Sequence, residues 1–146
     1  MSVFSFIMKK ERKSMENAII CSCFLMLFAC GGQSNLDIYS SLDSALEDSK
    51  KLDRKILLVF DFLGNSTNAA GELLHDKTIS ERLDGFTVVL LNVDEPGDVG
   101  ENNRKLQRRK YGSSTQPTFY ILDSDGEIIK GPLGYCSKSE LIEFIK

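Results

Sequence analysis

A chain of 146 residues with 18 Lys+Arg, 21 Asp+Glu and a net charge of −3 has room for one domain with a modest core, and its acidic balance argues against nucleic acid as a partner. It contains no Gly-rich phosphate loop, no nucleophile elbow and no paired-carboxylate motif. Its one histidine, His75, has no Cys or His companion at metal-ligand spacing, so neither a metal nor a cofactor is expected.

Residues 1–29 read as a targeting segment. Lys9, Lys10, Arg12 and Lys13 form a basic region, and Ala18 to Ala29 is an apolar run too short to span a bilayer comfortably. The run ends in Leu27-Phe28-Ala29-Cys30, followed by Gly31 and Gly32. A small residue and then Cys resembles the lipobox of bacterial lipoproteins, although Phe28 is bulkier than the usual residue there. The resemblance implies cleavage after Ala29, lipidation of Cys30 and a protein anchored in the bacterial cell envelope, facing the periplasm. The absence of Asp directly after Cys30 resembles lipoproteins sorted to an outer membrane. The alternative is an ordinary secretory signal, and Met8 or Met15 could be the true start. Of the charged residues, four Lys+Arg and two Asp+Glu lie in 1–30, so the remainder carries 14 against 19, a net of −5. Residues 30–35 then make a short tether, and residues 36–146 the domain.

Leu36, Tyr39, Leu42 and Leu46 recur at helical spacing, predicting an amphipathic helix over 36–51 that Asp53 breaks. Ile56 to Phe60 is a continuous apolar run, as in a strand buried on both faces, with Asp61 just past its end. Gly64, Asn65 and Ser66 break the run. Ser66 or Thr67 can cap a helix that carries Ala69, Ala70, Leu73 and Leu74 to about Asp76. A helical turn over 78–83, a second buried strand over 86–93 and an acidic loop over 94–98 follow. Residues 100–111 predict a polar helix with Arg104, Lys105, Arg108, Arg109 and Lys110; anionic lipid or an acidic partner could meet it, and the simpler reading is a solvated face. Gly112 ends it. Phe119 to Leu122 and Glu127 to Lys130 flank a Ser124-Asp125-Gly126 turn, a hairpin. Ser137 and Glu140 have capping-box spacing at the start of a last helix over 137–146, with Leu141, Phe144 and Ile145 inward.

The segment 55–74 and the order of elements resemble the thioredoxin superfamily, especially the C-terminal domain of DsbD-type disulfide reductases and small bacterial thioredoxin-like lipoproteins. The resemblance covers about residues 36–146. It implies a thioredoxin-like α/β fold, a central mixed sheet of about four strands with helices on both faces. Laid over the family's C-x-x-C, the cysteine positions fall on Thr67 and Ala70, so both are missing. Thr115-Gln116-Pro117-Thr118-Phe119 matches the family's cis-proline motif, which implies a cis Pro117 and a loop that pairs with an extended substrate chain. Pro117 could equally serve only to shape a turn. The carboxylate at the position of Asp61 lies, in the family, beneath the cysteines. Here it is expected either buried, bonded to the Thr67 hydroxyl or paired with Lys130, or exposed at the strand end.

Dithiol exchange needs a thiolate and a resolving thiol, and Thr67 and Ala70 supply neither. A Thr67–His75 pair would be about 12 Å apart along a helix. Cys136 is the one thiol left outside the leader and lipobox. It is either a packed core residue or, beside a helix N-terminus, a reactive monothiol. The chain is therefore expected to be a non-catalytic polypeptide-binding or envelope-complex module, without cofactor, using Asn65, Ser66, Thr67, Asn68, Gln116, Pro117 and Thr118. The alternative is an atypical thiol-disulfide oxidoreductase acting through Cys136; a third possibility is a purely structural domain.

Overall fold

The apolar run at Ile56 forms the central strand. In the structure, a computed structural model, residues 36–63 and 69–146 are described. Strand β2 (Lys55–Asp61) is buried at every position from Ile56 onward. Enclosing five consecutive apolar side chains, each worth roughly 1.5–3 kcal/mol, makes this strand the axis of the sheet. Strand β3 (Phe86–Asn92) runs parallel to it in register from Lys55↔Phe86 to Asp61↔Asn92. On the other side β4 (Thr118–Leu122) is antiparallel, and β5 (Ile128–Leu133) is antiparallel to β4. A two-residue strand, β1 (Ile38–Tyr39), adds an edge, giving the order β1-β3-β2-β4-β5.

That edge corrects the predicted first helix. Ser41 is extended and its side chain accepts from the Ser44 amide, so helix α1 spans Leu42–Leu52 rather than starting at Leu36. Ile38 and Tyr39 pair with Val88 and Val89 instead. Asp53, left-handed at φ 50°, terminates α1.

Among the described residues, five helices cover the sheet. Helix α2 (Ala69–Leu74), α3 (Lys77–Arg82) and α5 (Lys138–Phe144) lie over the face carrying Leu57, Val59, Val88, Phe119 and Ile121, through Ala70, Leu74, Ile79, Leu141 and Phe144. Helix α1 and helix α4 (Asp98–Arg109) lie over the opposite face, where Leu42, Ala45, Leu106 and Tyr111 pack on Ile56, Leu58, Phe60 and Tyr120. Each alternate residue of β2 therefore meets a different helix layer, as the two-residue strand period requires. Asp76 caps α3 by accepting from the Thr78 and Ile79 amides, and it pairs with Lys138 at 2.8 Å to tie α3 to α5. The Ser137–Glu140 capping box is present at the start of α5. The hairpin turn is held by Asp123, whose Oδ1 accepts from the Asp125 and Glu127 amides; β5 then runs to Leu133, three residues beyond the predicted partner strand.

Candidate functional site

The C-terminal end of β2 collects the groups that the sequence singles out. Asp61 is 1% exposed. Its Oδ1 accepts from the Phe62 amide at 2.8 Å and its Oδ2 from the Ala70 amide at 2.9 Å. One carboxylate thus closes the strand end and fixes the first turn of α2. Burial pushes the Asp61 carboxyl above its ordinary range; the two amides pull it down, and the nearby Asp94 adds to the upward push. Lys130 is not its partner: the Lys130 ammonium donates to the Phe144 carbonyl at 2.9 Å and lies 5.1 Å from the Phe144 ring centre. Thr67, the other expected partner, lies outside the described residues, as do Cys30, Asn65, Ser66 and Asn68. Ala70 is fully buried, and only its backbone takes part in the site.

The Gln116–Pro117 peptide is cis. Thr118 pairs with Phe60 and Phe119 with Val59, so one further step along this register brings Pro117 beside Asp61. The loop before β4 is held from beneath by Gln107 of α4, which is 1% exposed. Its Nε2 donates to the Thr115 carbonyl at 2.8 Å, and its Oε1 accepts from Gln116 Nε2 at 2.9 Å. The Thr118 hydroxyl donates back to the same Thr115 carbonyl. Thr118 is fully buried and Pro117 is enclosed, so neither offers a side-chain surface, and what this part of the loop can present is backbone. Gln116 is half-buried and is the member of the predicted trio that reaches the outside.

Cys136 does not have the setting of a reactive thiol. It is 6% exposed and packs in the core layer under α5. Burial first, and then the Glu140 carboxylate, push its thiol above the ordinary range. The helix N-terminus expected to favour a thiolate is already occupied by Glu140, which accepts from the Ser137 amide at 2.7 Å. His75 is exposed just past α2.

Three further residues also belong to this end. Gln107 is one; the signal was its spacing with Gly100 and Asn103, which puts all three on the inward side of a helix that looked polar all round. Phe62 is 40% and Tyr135 81% exposed, on either side of the cis-proline loop. Isolated apolar residues in loops carry no periodic signal, so the hydrophobic pattern marks neither; for Tyr135 the family resemblance, which implies that the Gly134-Tyr135 segment lies near the cis-proline loop, is the available signal.

Among the described residues no group of three or more His, Cys, Asp or Glu side chains is placed to hold a metal ion, and no helix is long and apolar enough to cross a membrane.

No family model matches the chain, and no curated protein matches it. Solved structures do. A thioredoxin from Thermus thermophilus superposes with a TM-score of 0.58 at 20% identity, over 75% of this chain and 84% of that one. A Fasciola hepatica thioredoxin gives 0.52 at 16% identity, over 74% and 94%. A thioredoxin from Arabidopsis thaliana in its oxidised state gives 0.53 at 16% identity, over 77% and 92%. These likenesses, with the mixed five-stranded sheet between two helix layers, establish that the chain has a thioredoxin-like α/β fold.

Proposed function

We propose that the protein is a lipid-anchored envelope protein whose thioredoxin-like domain binds a polypeptide and does not exchange disulfides. The observation that supports it is the contrast within one site. The position that overlays the second redox cysteine is Ala70, and its contribution is a backbone amide held by Asp61. The cis-proline loop beside it keeps a dedicated buried support, Gln107, whose amide is bonded at both ends to that loop. A buried amide whose two ends hold one surface loop is a feature of a site that must present a fixed backbone. The only thiol among the described residues is enclosed and disfavoured as thiolate, which speaks against the alternative of a monothiol enzyme acting through Cys136. The anchor follows from the lipobox resemblance at Cys30, and with it the envelope location, facing the periplasm and sorted to the outer membrane.

A photo-crosslinking side chain at position 116, in cells making the full chain, tests the binding surface. Capture of a defined protein from position 116, and not from Lys51 at the opposite end of the sheet, is expected. Equal capture from both positions would remove the site. Incorporation of labelled fatty acid that is lost in Cys30→Ser tests the anchor.

A further inference from the structure

The order of the strands places four unlike features in a row across the C-terminal end of the sheet. The segment after β3 carries Asp94, Glu95 and, at the first residue of α4, Asp98, three acidic groups within five residues and no basic residue. It adjoins the end of β2, where the Leu63 amide donates to Asp94 Oδ1 at 3.1 Å. Phe62 follows on β2, then Gln116–Pro117 ahead of β4. Tyr135 comes last, two residues past the Leu133 that pairs with Phe119. Arg104 is engaged with the Val93 carbonyl, to which it donates at 2.5 Å. The row is therefore acidic at the β3 end and aromatic at the β5 end, with a fixed backbone loop between.

We propose that the polypeptide bound here carries a Lys or Arg about four residues from an apolar side chain, the cation on the Asp94–Asp98 loop and the apolar group on Tyr135. The inference rests on the polypeptide-binding reading above. The spacing follows from the sheet. From β3 to β5 there are three strand intervals of about 4.8 Å, about 14 Å in all, and an extended chain rises about 3.4 Å per residue. Charge complementarity sets the polarity: a segment laid in the reverse direction would bring its cation to Tyr135 and its apolar group to three carboxylates. An exposed Tyr supplies apolar area at low conformational cost and is a common anchor in such contacts.

The test is an NMR titration of the full chain in detergent with three synthetic heptapeptides. One has Lys second and Phe sixth in a Ser/Gly background; the others replace the Lys with Glu or the Phe with Ser. The Lys/Phe peptide is expected to bind about tenfold more tightly than the peptide lacking Phe and about threefold more tightly than the one with Glu. Tyr135→Ser should remove the first preference, and Glu95→Lys should reverse the second. Both positions are exposed, so neither change threatens folding. Three peptides of equal affinity, no binding by any, or no effect of Tyr135→Ser would overturn the inference. If they bind equally and Gln107→Ala abolishes that binding, the pattern falls and the polypeptide reading stands. If none binds and position 116 captures nothing in cells, both fall.

Discussion

The carboxylate of Asp61 and the backbone amide of Ala70 are joined by a buried hydrogen bond of 2.9 Å. This bond links the most buried strand of the sheet to the short helix that opens the candidate site. The burial of that carboxyl also makes the site pH-dependent in a defined direction. In the folded chain the Asp61 carboxyl titrates above its ordinary range, chiefly through burial. The protonated form is therefore favoured by folding. The stabilisation this supplies is present in full below the ordinary Asp value and is lost as pH rises through the raised one. In urea unfolding from about pH 8 down to about pH 4, the wild-type chain should gain stability relative to Asp61→Asn. A difference that stays constant over that range would show that the carboxyl is not held as a buried group.

Gln107 makes a second prediction. Gln107→Leu keeps the volume but removes the donor to Thr115 and the acceptor of Gln116. Thr115 retains the Thr118 hydroxyl as a partner, so the expected loss is moderate, about 1–2 kcal/mol in chemical denaturation. Amide exchange should quicken in residues 113–118 more than in β2. A uniform change in exchange would mean that Gln107 is general packing and not a support for the loop.

The two kinds of result differ in how far they could be read from residues alone. The strand at Ile56–Phe60, the Ser137–Glu140 cap and the Pro117 turn were readable because each depends on neighbours in sequence: a continuous apolar run, a three-residue spacing, a fixed φ. Tyr39 reads as helical because Leu36, Tyr39 and Leu42 have helical spacing, and only the extended Ser41 and the pairing of Tyr39 with Val89 break that pattern. The partners of Asp61 could not be read at all. They are backbone amides, one of them nine residues away, and a backbone donor has no residue type to recognise. The same holds for Gln107, a polar residue buried because the loop it supports comes from the other side of Gly112.

Cys136 offers a direct test between the two functional readings. Its thiol is buried and pushed up by enclosure and by Glu140, so little thiolate is present at neutral pH. A thiol reagent at neutral pH should label Cys136 only when the chain is unfolded, and disulfide reduction by the full chain should equal background with or without Cys136→Ala. Rapid native labelling, together with reductase activity that Cys136→Ala abolishes, would establish the monothiol enzyme instead. Cys136→Ser should be less stable than Cys136→Ala, since it places a hydroxyl in an apolar layer at a cost of about 1–3 kcal/mol.

Gly100 sets the position of the acidic loop. It lies in the first turn of α4, and a Cβ built on it would come within 2.1 Å of the Glu95 carbonyl oxygen and 2.9 Å of the Glu95 nitrogen. Both are backbone atoms, so no side-chain rotation relieves the clash. A glycine inside a helix ordinarily gains about 1 kcal/mol on replacement by Ala. Here overpacking, typically about 1–3 kcal/mol, outweighs that gain, and Gly100→Ala should lower the thermal midpoint. Because Glu95 must move, the preference of the chain for the Lys-bearing peptide should fall as well, while the Tyr135-dependent preference for Phe is kept. Loss of both preferences together would show that the loop and Tyr135 do not act on separate parts of the bound chain. An unchanged midpoint would show that residues 94–98 yield freely, and a loop that yields freely cannot hold three carboxylates in the arrangement that the charge argument uses.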